Sequence, residues 1–199
     1  MKPDSTAAGT RLVALMVVLV LFSPLAIDLY LPALPAMAET FAVDTTRVQD
    51  TVTLFMFSLG LGQLLAGPLA DRYGRRPIAL TGIAIYTVSS ALAYTAQSLD
   101  LLLFARLAQG FGACATSVAA FAAVRDSFGP ERSGRMISYL NGAICFIPAL
   151  APLMGAWLTH EFGWRSNFSF MVGFALVAGS LIAVALKKHA QQIPTHRGR

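Results

Sequence analysis

Asp71-Arg72-Tyr73-Gly74-Arg75-Arg76-Pro77 separates two long apolar runs, and the way it does so decides the fold. A glycine stands where a chain reversal wants positive φ, and a proline follows in the first turn of the next helix, where a missing N–H costs nothing. The runs on either side, 48–69 and 77–97, each have the length of a membrane crossing, since roughly 20 residues at 1.5 Å each cover ~30 Å of hydrocarbon. Outward from this turn the same alternation fills the chain. Further apolar blocks fall at 12–38, 101–124, 136–159 and 166–186, and Gly129-Pro130-Glu131-Arg132 punctuates the fourth connection. The pattern predicts an all-α membrane protein with a six-span transmembrane domain over 12–186. A short N-terminal segment, 1–11, precedes it and a polar, basic tail, 187–199, follows.

Composition agrees with distribution. Of the 199 residues 56% are hydrophobic and 13% charged, about half the charged share usual in soluble domains. The net charge of +5 raises the question of nucleic acid, but the basic residues are not gathered on one soluble face. With the N-terminus inside, twelve fall on the cytoplasmic side: Lys2, Arg11, Arg72, Arg75, Arg76, Arg125, Arg132, Arg135, Lys187, Lys188, Arg197 and Arg199. Only Arg47 and Arg165 fall outside, a bias that places both termini of a multi-pass membrane protein in the cytoplasm. Glu39, Asp44, Asp50, Asp100 and Glu161 accompany the external loops and span ends. The charge therefore reports topology, and no nucleic-acid partner is expected.

The start of the chain has a second reading. Lys2 and Arg11 before an apolar run, then Ala36-Met37-Ala38, have the outline of a secretory signal. However, 12–27 already exceeds a typical apolar signal core, and the cleavage site would lie beyond Asp28 and two prolines. Cys114 and Cys145 sit inside apolar blocks and read as small buried packing residues. His160, His189 and His196 lie in loops or tail and form no metal constellation. Neither enzyme chemistry nor a cofactor is expected.

Two charges interrupt the apolar blocks: Asp28 in the first span and Arg106 in the fourth. Either costs ~2.5–3.5 kcal/mol at a helix centre, so each needs a compensating environment. Asp28 is eleven residues from Glu39, roughly 16 Å along a helix, hence near mid-membrane. Pro24 and Pro32 flank it on its own face and Pro35 lies a turn further; each removes a helical hydrogen bond and frees a carbonyl four residues back. Irregular backbone and a carboxylate at that depth point to a wet cavity, the alternative being an acid kept neutral by lipid or capping a kink. In a cavity the carboxyl is a natural proton carrier, and a cationic substrate competing for it gives exchange directly. Arg106 is six residues inside Asp100, about 9 Å deep, so it can snorkel outward or face the cavity with Gln109, Ala113 and Ser117. In the cavity it acts as electrostatic partner to Asp28, tuning protons without carrying them.

Gly67-Pro68-Leu69-Ala70-Asp71-Arg72-Tyr73-Gly74-Arg75-Arg76-Pro77 resembles the signature loop between the second and third helices of the major facilitator superfamily. The resemblance implies that Gly67, Asp71, Arg72, Gly74, Arg75 and Arg76 form a cytoplasmic gate, with the carboxylate pairing to loop arginines and to a helix terminus of the other half. Leu102-Leu103-Phe104-Ala105-Arg106-Leu107-Ala108-Gln109-Gly110-Phe111-Gly112-Ala113 resembles the fourth-helix motif of proton-coupled members. Ser23-Pro24-Leu25-Ala26-Ile27-Asp28-Leu29-Tyr30-Leu31-Pro32-Ala33-Leu34-Pro35 looks like the first helix of drug/proton antiporters of the bicyclomycin-resistance (Bcr/CflA) type. In the fifth span, Pro148, Pro152 and Gly155 match the antiporter packing motif, while Ala151 and Ala156 replace its glycines. Both replacements stay small, so close helix packing survives.

The resemblance covers about 10–190 and implies a six-helix major-facilitator half-bundle, the N-terminal half of a twelve-span carrier. Its implied function is efflux of small hydrophobic or cationic drugs in exchange for protons, with Asp28, Arg106 and Gln109 at the proton and substrate site. Its partners are then the lipid bilayer, the drug, protons, and a second six-helix half or a homodimer partner. The rival reading is a non-transporting fragment or a structural partner of another membrane protein.

Overall fold

The computed structural model describes residues 5–190, with side chains described for 12–129 and 132–184. Six of its helices are long and apolar enough to cross a membrane: Leu12–Phe41, Thr45–Tyr73, Arg75–Tyr94, Leu99–Gly129, Arg132–Phe162 and Arg165–Val184, called here the first to sixth spans. They outrun the apolar blocks at most ends, because helical hydrogen bonding continues where polarity begins; Gln49, Asp50, Asp71 and Arg72 are all helical. The last helix runs to Ala190, into the stretch read as tail. The expectations for 1–4 and 191–199 lie outside the described residues, as do those for the side chains of Arg11, Lys187, Lys188 and His189.

Three joints between spans turn on one glycine each. Gly74 (φ 93°, ψ 157°), Gly129 (φ 66°, ψ 175°) and Gly163 (φ 80°, ψ 161°) take a conformation that side-chain-bearing residues avoid. The Gly129-Pro130 stretch, expected to hold a loop, is thus a reversal between nearly continuous helices.

The fourth span is the centre of the bundle. Gly110 lies against Ser58 and Phe55 of the second span, and Gly112 and Gly82 bring the fourth and third spans together; a Cβ at any of the three would meet the neighbouring helix. Small residues at crossings let backbones approach, which is how helices gain contact in lipid. A layer of rings joins the first span to the third and sixth: Phe22 lies 4.8 Å from Tyr86 and 5.1 Å from Phe174, and Tyr30 lies 5.5 Å from Phe168.

At the end of the bundle away from Asp71, Trp164 ties the turns together. Its Nε1 donates to Thr40 Oγ1 at 3.0 Å, and its ring packs 5.6 Å from Phe41. Arg165 stacks on that ring at 4.2 Å and donates to the Ala96 carbonyl at 2.8 Å. The second and fifth spans instead turn large apolar side chains outward, among them Phe57, Leu64, Phe146, Leu153 and Trp157. This corrects the reading of one cysteine. Cys114 is buried as expected, but Cys145 is exposed because it lies on the fifth span, which presents most of its surface outward.

Candidate functional site

The first span is broken where its prolines fall. Helix Phe22–Asp28 ends at the acid, a short 3-10 turn covers Leu31–Ala33, and helix resumes over Leu34–Phe41. Pro32 has no N–H to offer the Asp28 or Leu29 carbonyls, and the Ala33 N–H goes to the Tyr30 carbonyl at 3.0 Å. Gly155 of the fifth span lies against this freed Leu29 carbonyl. Of the other two residues of the fifth-span motif, Pro148 is exposed and Pro152 half-buried. Asp28 itself is half-buried, and its carboxyl has no hydrogen-bond or ion-pair partner among the described residues.

Arg106 takes neither orientation open to it from sequence. It is fully buried, so it does not snorkel, and it points into the interior of the bundle. Its guanidinium is sandwiched between Tyr30 of the first span and Phe55 of the second, 4.4 Å from each ring centroid. Desolvated contacts of this kind reach about 2 kcal/mol each, so the pair is of the same size as the ~2.5–3.5 kcal/mol insertion cost. Arg106 Nη1 donates to Gln109 Oε1 at 2.6 Å, and Gln109 Nε2 passes the network to Ser90 Oγ at 2.7 Å and Met171 Sδ at 3.4 Å. Arg106 and Gln109 are thus brought together, while Arg106 and Asp28 make no ion pair. Arg106 Nε and Nη2 and the Tyr86 hydroxyl are buried without a hydrogen-bond partner among the described residues.

One turn before Asp28, Ser23 and Pro24 enter the wall of a groove of about 490 Å³ between the first, second, fourth and fifth spans. Gln63 and Ser117 add neutral polar groups to that wall, and Asp71, Arg75, Arg125 and Asp126 stand at its charged end. Ser117 lines the groove as expected of its helical face, whereas Ala113 is buried. Gly67 also lines it, and a Cβ there would meet no atom within 4 Å.

Within the signature loop the structure pairs Asp71 with one arginine. Arg75 Nη1 donates to Asp71 Oδ1 at 2.6 Å, while its Nε donates to Asp126 Oδ2 at 2.9 Å. One guanidinium therefore links the end of the second span, the start of the third and the end of the fourth. Arg72 is exposed and lies over Tyr73 at 5.4 Å, and Arg76 is half-buried. The sequence reading missed Asp126, Tyr30 and Phe55. For Asp126 a signal was present, an acid beside Arg125 at the charged end of a span; for the two rings there was none, because any aromatic in an apolar block reads as core.

The sequence profile of the Major Facilitator Superfamily matches residues 16–199. The chain belongs to that superfamily. Among its superfamily relatives, multidrug resistance protein MdtL of Vibrio parahaemolyticus is 36% identical over 180 residues, covering 90% of this chain and 45% of MdtL. A chloramphenicol resistance protein of Pseudomonas aeruginosa is 38% identical over 164 residues, covering 82% of this chain and 39% of its own length. The chain spans about half the length of the curated relatives it matches. The crystal structure of the human organic anion transporter MFSD10 (TETRAN) superposes with a TM-score of 0.74 at 21% identity, over 93% of this chain and 48% of MFSD10. At that identity the likeness shows the fold, a major-facilitator half-bundle.

Proposed function

We propose that this chain forms the N-terminal half of a carrier that exports small hydrophobic or cationic drugs in exchange for protons. The observation that carries the reading is the break in the first span. It leaves the Asp28 carboxyl, unpartnered among the described residues, one turn from a polar groove. A carboxyl free of a fixed cation can take up and release a proton, and can be approached by a cationic drug. Arg106 is held apart as a permanent buried charge that biases the carboxyl without competing for it. The relatives named for multidrug and chloramphenicol resistance support the substrate class.

Asp71, Arg75 and Asp126 act in this reading as the cytoplasmic gate, closing against a helix terminus of a second six-helix half or, failing that, of a second copy. Both termini lie in the cytoplasm of the inner membrane, from the charge bias. The test is Asp28→Asn in proteoliposomes holding this half with its C-terminal partner half. Drug-driven proton release is expected to vanish while insertion is unchanged, and Asp28→Glu is expected to keep part of the activity. Unaltered proton release by Asp28→Asn overturns the proposal.

A further inference from the structure

The polar groove and the Asp28 carboxyl are separate places. Ser23 and Pro24 enter the groove wall, but Asp28, a turn further along the same broken span, does not. The anionic side chains of the wall are Asp71 and Asp126, and Arg75 holds both, at 2.6 Å and 2.9 Å. Its remaining charged group, Arg125, is a cation. A permanently cationic molecule entering the groove therefore meets no uncommitted anion.

What the wall does hold free is neutral. Ser23, Gln63 and Ser117 line it and have no hydrogen-bond partner among the described residues. Hydroxyls inside helices commonly return to a carbonyl three or four residues back, as Ser58 does to Phe55 at 2.9 Å and Thr116 to Ala113 at 2.8 Å. Ser117 stands beside Thr116, and the Ala113 carbonyl four residues behind it already receives the Thr116 hydroxyl. The three free groups come from the first, second and fourth spans. Leu59, Phe121 and Ile144 add apolar surface to the same wall. A groove of about 490 Å³ with a mostly apolar lining and a few polar groups has the build of a small-molecule site, for which ~300–1,000 Å³ is usual.

We propose that Ser23, Gln63 and Ser117 are specificity-determining residues that bind uncharged drugs through their hydroxyl and amide groups, while cationic drugs answer to Asp28. This deepens the export reading and rests on it. An uncharged substrate bearing O–H, N–H and carbonyl groups satisfies the three side chains. A cation without such groups covers them and leaves them unpaired, which costs affinity. The two drug classes then draw on different side chains of one half-bundle.

The experiment is equilibrium binding of labelled chloramphenicol and labelled tetraphenylphosphonium to the complete carrier, this half with its C-terminal partner half, in lipid nanodiscs. Chloramphenicol is uncharged and carries hydroxyl and amide groups, whereas tetraphenylphosphonium is a permanent cation with no hydrogen-bonding group. Ser23→Ala, Gln63→Met and Ser117→Ala stand at half-buried or exposed positions, so folding is not at stake. Each is expected to weaken chloramphenicol about three- to tenfold, the size of one lost hydrogen bond, and to change tetraphenylphosphonium by less than about twofold. Asp28→Asn is expected to do the reverse, weakening the cation by about tenfold or more and leaving chloramphenicol within about twofold. Ser89→Ala removes a hydroxyl outside the groove and is expected to leave both probes unchanged. Chloramphenicol binding indifferent to all three groove substitutions, the result a groove filled by lipid would give, overturns the assignment and leaves the export reading standing. So does chloramphenicol binding weakened by Asp28→Asn as strongly as that of the cation. Failure of the unsubstituted carrier to bind either probe overturns the export reading itself.

Discussion

Gly155 lies against the carbonyl oxygen of Leu29, so the fifth span meets the first one residue beyond Asp28. That carbonyl is one of those that lose a helical donor to Pro32 and the Tyr30–Ala33 turn. The glycine offers it a close Cα–H, a weak hydrogen bond that recurs where helices cross closely.

A methyl group at this position has nowhere to go. Gly155→Ala is expected to destabilise the chain by about 1–3 kcal/mol, the usual cost of overpacking a tight site. Gly142, on the same span, has open space around it, so Gly142→Ala is expected to be neutral or to stabilise by up to ~1 kcal/mol. Thermal unfolding of both variants in one detergent checks the contrast, and an equal response from both would refute the contact.

The Arg75 bridge is predicted to matter for transport more than for stability. Asp71 and Asp126 are 70% and 57% exposed, and pairs that open to solvent contribute about 1 kcal/mol or less. Asp126→Asn is therefore expected to leave the melting temperature within a few degrees of wild type. In the complete carrier it is expected to lower transport several-fold, as is Asp71→Asn, with the double variant no worse than either. Additive losses in the double-mutant cycle would show that the two acids do not act through one arginine.

Orientation is open to chemical labelling. With Cys114 and Cys145 replaced by serine, a cysteine at Asp44 is expected to react with an impermeant maleimide on intact cells. One at Tyr73 is expected to react only after permeabilisation. Both positions are exposed, and Tyr73 is a better site than Gly74, whose φ of 93° disfavours any side chain. The reverse pattern would invert the topology.

The 199-residue chain expressed by itself is expected to confer no drug resistance and to self-associate in detergent. The polar groove is open to the outside of the bundle, and the second and fifth spans leave Leu64 73% and Leu153 70% exposed. Polar groups such as Gln63 and Ser117 cost several kcal/mol each if they face lipid unsatisfied. Liposome transport under an imposed proton gradient, with mass determination in detergent, decides the matter. Transport by a proven monomer sinks the argument, and transport by a dimer supports a homodimeric carrier.

Much of this architecture was legible in the sequence, because block length and proline placement are local properties. Six apolar blocks became six spans, the prolines around Asp28 became a broken helix, and Gly74 took the positive φ its turn required. What stayed hidden depends on distance along the chain. Arg75 and Asp126 are 51 residues apart, and no periodicity joins them. The clamp on Arg106 needs rings from two other spans, and the sequence offered a carboxylate as its partner because opposite charges are the obvious pair. Buried aromatic faces cover the cation instead, and Asp28 has no ion-pair or hydrogen-bond partner among the described residues.

The single-glycine joints at Gly74, Gly129 and Gly163 have a mechanical consequence. Each leaves no slack between one helix and the next, so the second span cannot slide without dragging the third, nor the fourth without the fifth and sixth. Asp126 stands three residues before one such joint, and Arg75 follows another directly. Force applied to the outward face of the fifth span therefore arrives at the ionic bridge undiluted by loop compliance. We expect the half-bundle to tilt as a lever, with the break in the first span, beside Asp28, as a point of articulation.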